Sequence, residues 1–210
     1  MALTGPTRMQ ASTVQMAAAG FALLYDWTSA EHMRRYINQW REWIAGQSFA
    51  GLQAFIEQEA KWHEGRTPVT YVADPELAIS LLTDTTERSP TFSQPAFENT
   101  LDGTPVSPIY LAVKHTHQSA RAWEALLGRV PRPLEWPEFE GRIGMGTLLG
   151  FDISETAISR RSGKTVRFTK LPGQVKWESD AQSWSQPLWD EHPLTTHLSL
   201  KMAVNALSTL

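Results

Sequence analysis

From Thr28 to Glu64 the apolar residues recur every three or four positions, whereas beyond Gly141 they fall into short runs rich in branched and aromatic residues. This change of period narrows the possible folds most, because a helical stripe and a strand alternation cannot be exchanged for one another. It predicts an α+β chain: a helix-rich N-terminal half packed on a mainly antiparallel C-terminal β-sheet, with a helix at the C-terminus.

Thr28 followed by Glu31 has the spacing of a capping box. Met33, Tyr36, Ile37, Trp40, Trp43 and Ile44 then form the stripe of a first helix that Gly46 ends. A second helix is expected from Ser48 to about Glu64, carrying Phe49, Leu52, Phe55 and Ile56 and stopped by Gly65. The short link between the two predicts a helical hairpin. Val69 to Val72 reads as a strand, and Asp74-Pro75 supplies an N-cap and a first-turn proline for a helix through Leu77, Leu81 and Leu82. Ile109 to Val113 reads as a buried strand and Ser119 to Leu127 as a helix closed by Gly128. Strands are expected at Thr147 to Ile153, Glu155 to Ser159, Thr165 to Thr169 and Val175 to Trp177, with Arg160 to Lys164 as a hairpin turn, before a last helix from Thr196 to Leu207.

Residues 1–13 read as an N-terminal arm and 14–210 as one domain, with a possible lobe boundary near 131–141. Thr83 to Pro108 and Glu178 to Pro193 read as long irregular segments, suited to lying on a neighbour or over a site.

The chain has 210 residues and no cysteine, so disulfides and thiolate-held metals are ruled out. Met16 to Tyr25 is about half as long as a membrane span requires, and no clear cleavage signal follows it. A cytoplasmic location without membrane contact is therefore expected. A net charge of −3 argues against a surface that is basic all over. Nine tryptophans supply large amphipathic contact areas for cores and interfaces alike.

Three constellations carry chemistry. His115-Thr116-His117, placed at a strand end, would direct two imidazoles to one side, and Asp190, His192 and His197 offer further metal ligands. Arg160, Arg161, Lys164, Arg167, Lys170 and Lys176, with Phe168 or Trp177 as a stacking face, form a basic β-hairpin able to track phosphates. The irregular segments form the third. Gly144-Met145-Gly146 leads into strands rather than a helix, and the position five residues before Gly163 is Ile158, so neither nucleotide loop is complete. No Gly-x-Ser-x-Gly elbow marks a nucleophile, and no cofactor is expected.

The leading reading is a non-enzymatic subunit of an assembly of phage, virus or mobile-element type. Its partners would be other protein subunits, of the same or another kind, with RNA or DNA as a further contact. The alternatives are a nucleic-acid-binding module built on the basic hairpin and a metal-dependent hydrolase using His115, His117 and His192.

Overall fold

In two five-residue runs, Val69–Ala73 and Ile109–Val113, every residue is buried. Strands buried along their whole length have layers packed on both faces, and parallel neighbours need a crossover between them. The computed structural model, which describes residues 30–91, 107–132 and 145–209, shows this arrangement. Its helices are α1 (Ala30–Ala45), α2 (Ala50–Glu64), α3 (Pro75–Thr91), α4 (Ser119–Leu127), α5 (Met145–Gly150) and α6 (Pro193–Thr209). Its strands are β1 (Val69–Ala73), β2 (Ile109–Val113), β3 (Lys164–Leu171), β4 (Gln174–Glu178) and β5 (Ser183–Pro187).

The five strands form one sheet in the order β2-β1-β3-β4-β5. β1 lies parallel to both β2 and β3, while the β3–β4 and β4–β5 pairs are antiparallel. The α+β class holds, with a sheet that is mixed and draws its two most buried strands from the helix-rich half.

Side chains two apart on a strand share a face, so this register aligns an aromatic row across the sheet. Phe168 pairs with Trp177 and Trp177 with Trp184. Ring centroids are 5.2 Å apart for Tyr71–Phe168, 4.7 Å for Phe168–Trp177 and 5.2 Å for Trp177–Trp184. α2 covers the row, with Phe55 edge-on to Trp177 at 5.7 Å. Beside it, α3 adds Leu77, Ala78 and Leu81 to the same core, and α6 adds Leu200, Ala203 and Val204.

α6 packs against both α2 and α3. Leu198, Ser199, Leu200, Lys201, Ala203, Val204 and Asn205 are all buried, so the helix is enclosed on most sides, with Met202 the exception within that run. No single apolar stripe therefore describes it.

α2 turns Leu52, Phe55, Glu59 and Trp62 inward, and the Glu59 carboxylate accepts the Tyr71 hydroxyl at 2.9 Å to each oxygen. α1 rests on the body through the later part of its stripe, where Trp43 meets Trp189 edge-on at 5.8 Å.

Several expectations are corrected. α3 continues to Thr91, which shortens the irregular segment expected from Thr83. Thr147 to Ile153 is not a strand; α5 ends at Gly150 and Ile153-Ser154 only bridges to the edge of β2 at Val113. Glu155–Arg160 forms a 3-10 helix rather than a strand. No hairpin therefore turns at Arg160 to Lys164; the hairpin joins β3 to β4 around Gly173, whose φ of 68° suits glycine. β5 lies within a segment expected to be irregular. The N-terminal arm, the Thr28 cap, residues 92–106 and most of the proline-spaced stretch lie outside the described residues. Among the described residues no helix is long and apolar enough to cross a membrane.

Candidate functional site

The histidine pair does not sit on a strand. β2 ends at Val113, Lys114-His115 turns, and His115 takes a φ of 60° with its side chain exposed. Its backbone N–H donates to Glu155 Oε2 at 2.8 Å, and the His117 carbonyl accepts Thr156 Oγ1 at 3.1 Å. These contacts hold the 3-10 helix against the turn. His192 opens α6: its N–H donates to Asp190 Oδ1 at 3.0 Å, and its carbonyl accepts from Thr195 Oγ1 at 2.8 Å and from the Thr196 N–H at 3.0 Å. Among the described residues no three His, Asp or Glu side chains converge where they could hold a metal ion.

The six basic residues are spread over the end of the 3-10 helix, β3 and β4, and four of them face carboxylates. Arg160 meets Asp152 at 2.6 Å, Lys164 meets Asp180 at 3.8 Å, Arg167 meets Glu155 at 3.5 Å and Lys176 meets Glu178 at 2.7 Å. Arg161 is turned inward: it donates to the carbonyls of Leu111 (3.1 Å) and Asp152 (2.5 Å), and its guanidinium lies 4.2 Å from the centre of the Tyr110 ring. Burial works to raise the Asp152 carboxyl, but hydrogen bonds from Arg160 and Ser154 hold it below the usual carboxylate range. Lys170 gives its backbone N–H to Asp74 Oδ2 at 2.6 Å. The expected stacking rings, Phe168 and Trp177, are both fully buried.

The carboxyl ends of parallel strands are common ligand sites where the strand order reverses. Here β1 and β2 end level with Phe168 of β3, which runs on to Leu171, and Lys114 Nζ lies 3.0 Å from Asp74 Oδ1 and 2.6 Å from Thr169 Oγ1. The cluster ties the ends of β1 and β2 to β3.

A serine and a histidine meet between α3 and α6, with Ser80 Oγ 2.6 Å from His197 Nδ1. Ser80 is fully buried, which denies a substrate access to its hydroxyl. Burial, together with the nearby Lys201 ammonium, lowers the His197 pKa from the ordinary 6.5. The unfolded chain therefore takes up this proton first, so the contribution to stability is complete above about pH 6.5 and is lost as the pH falls through the folded value. We expect urea midpoints to decline below about pH 6.5 and the decline to be shallower in His197→Gln. An identical acid limb in the variant would refute this account.

An apolar groove of about 270 Å³ opens between α1, α2, β5 and α6. α1 contributes Trp40, Trp43 and Ile44, the α1–α2 link and α2 contribute Phe49 and Leu52, and Pro187, Met202 and Ala203 form the opposite wall. Gln186 lies at the floor with its amide engaged: Oε1 accepts Trp177 Nε1 at 3.1 Å and Nε2 donates to the Ser199 carbonyl at 2.8 Å. Ile37, Phe49 and Met202 are exposed, at 42%, 42% and 40%. The tryptophan stripe was visible in the sequence, but Pro187, Gln186 and Met202 were missed because only the placement of β5 and α6 brings them there.

No family model matches this chain, and no curated protein or solved structure matches it.

Proposed function

We propose that the chain acts as a non-enzymatic subunit of an assembly, docking an apolar segment of a partner protein in the groove between α1, α2, β5 and α6. The observation that carries this reading is the tryptophan-walled groove with Phe49 and Met202 exposed in its lining. Aromatic residues and methionine are enriched at interface cores, where a few residues, tryptophan prominent among them, carry most of the affinity. Among the described residues the catalytic alternatives gain no comparable support, since Ser80 is buried and no three His, Asp or Glu side chains converge. Nor do the paired cations offer a continuous track for phosphates.

Size-exclusion chromatography with light scattering, together with affinity capture, tests the proposal on the wild type and on Phe49→Asp and Met202→Asp. A charge placed in the docking surface is expected to weaken association by roughly 30-fold or more, equivalent to about 2 kcal/mol. A strict monomer at high concentration that captures no partner, or association that survives both substitutions, would overturn it.

A further inference from the structure

We infer that the partner docks as an extended strand, which pairs with the open edge of β5 and sets two apolar side chains, two residues apart, into the groove; this rests on the docking reading above and specifies the partner it takes. β5 is the last strand of the sheet, so one of its edges has no neighbouring strand. The Leu188 N–H donates to the Gly173 carbonyl at 2.9 Å and the Ser179 N–H to the Gln182 carbonyl at 2.9 Å, which fixes the alternation of the β4–β5 ladder. Trp184 and Gln186 therefore turn their backbone groups toward β4, and Ser183, Ser185 and Pro187 turn theirs outward. Ser183 and Ser185 each offer an N–H and a carbonyl, Pro187 a carbonyl alone, and among the described residues no backbone group of another element bonds to them. The strand also carries none of the charges that commonly blunt a sheet edge.

The side chains follow the same alternation. Ser183 and Ser185 are exposed on the far face, whereas Trp184 packs against Gly51 of α2 and Gln186 reaches the groove floor. Residues of an added strand lie level with those of β5, so the two on either side of the residue opposite Ser185 point to the groove side. Both ends of the Gln186 amide are already bonded to Trp177 and Ser199, so the floor accepts apolar side chains. A cavity of about 150 Å³ holds one benzene ring, so the 270 Å³ here takes roughly two such groups. The occupant is a short segment of another protein rather than a second copy. The lining amounts to twelve residues, where a stable dimer takes roughly 20–30 on each side. A β5–β5 pair centred on Ser185 would also set each Ser183 carbonyl against the nitrogen of Pro187 in the second copy, which has no proton to give. A different segment with an N–H at that place completes the bond, and main-chain bonds of this kind supply affinity while the groove supplies specificity.

The test selects peptides from a random phage-displayed library on the full chain and keeps those whose binding Met202→Asp weakens. Their apolar positions are expected at i and i+2. N-methylation of the peptide residue between them, and Ser185→Pro in the chain, are each expected to weaken binding about tenfold or more. Ser185 gives no N–H to β4, so proline there removes no bond of the sheet, and the urea midpoint should stay close to that of the wild type. In the complex the Ser183 and Ser185 amides are expected to exchange with deuterium roughly tenfold more slowly, read by NMR, a measurement that needs no variant of the strand. Peptides with apolar residues at i and i+3 or i+4 that bind Ser185→Pro as tightly as the wild type would overturn the inference, by assigning the groove to a helix, and would leave the docking reading standing. Unchanged exchange at both amides would overturn it as well. So would self-association of the chain that Ser185→Pro abolishes, which gives the edge to a second copy. A library that yields no peptide sensitive to Met202→Asp removes the docking reading itself.

Discussion

Trp177→Ala is expected to cost about 3–5 kcal/mol, seen as a lower urea midpoint. Trp177 is fully buried at the middle of the aromatic row, in ring contact with Phe55, Phe168 and Trp184. Truncation leaves a cavity that α2 and the sheet cannot close without moving, because their other contacts are already made. The indole also donates to Gln186 Oε1, and that amide in turn donates to the Ser199 carbonyl on α6. The same substitution should therefore loosen the groove floor. Trp177→Phe retains a ring but loses the donor, and should cost about 1–3 kcal/mol. A cost below about 1 kcal/mol for the alanine variant would show that the row does not hold the core together.

Gly163→Ala should be at least as damaging, by about 4 kcal/mol or more, and the variant is expected to accumulate in insoluble form. Gly163 has a φ of 123°, a conformation that side chains rarely adopt. A β-carbon there would strike the Pro68 carbonyl, which already accepts the Lys164 N–H at 2.9 Å. That bond starts the β1–β3 pairing, in which Val69 lies opposite Lys164. Relief of the clash therefore opens the sheet at its centre. Gly173→Ala is the control: its φ is 68° but no atom lies within 4 Å of the added carbon, so only the backbone cost of about 1–2 kcal/mol remains. Equal stability losses in the two variants, measured by urea unfolding, would contradict this explanation.

Which parts of the fold were legible follows from how local their causes are. Val69–Ala73 and Ile109–Val113 could be read because a strand buried on both faces needs an unbroken apolar run. α2 and α4 could be read because Gly65 and Gly128 mark their ends, the latter with a left-handed φ of 65°. The segment around Leu148, Leu149 and Phe151 misled, since a short apolar run fits a strand and a single helical turn equally well. β5 was missed because Ser183, Ser185 and Pro187 read as a loop, and only Trp184 and Gln186 turn toward the core side. The acidic partners of the basic cluster, Asp152, Glu155, Glu178 and Asp180, were not legible, because folding selects them. The groove was half legible: Trp40 and Trp43 announced an apolar stripe, but their partners Pro187 and Met202 come from the far end of the chain.

The interior strand β1 acquires β2 after one crossover, yet its other neighbour, β3, begins only at Lys164. Until that later stretch arrives, one edge of a fully buried strand has open amides and carbonyls, the template on which two unfinished copies would join. Assembly of the native state is thus set by a distant pairing, which belongs to the slow class of folding reactions and leaves dilution or chaperones to keep nascent copies apart.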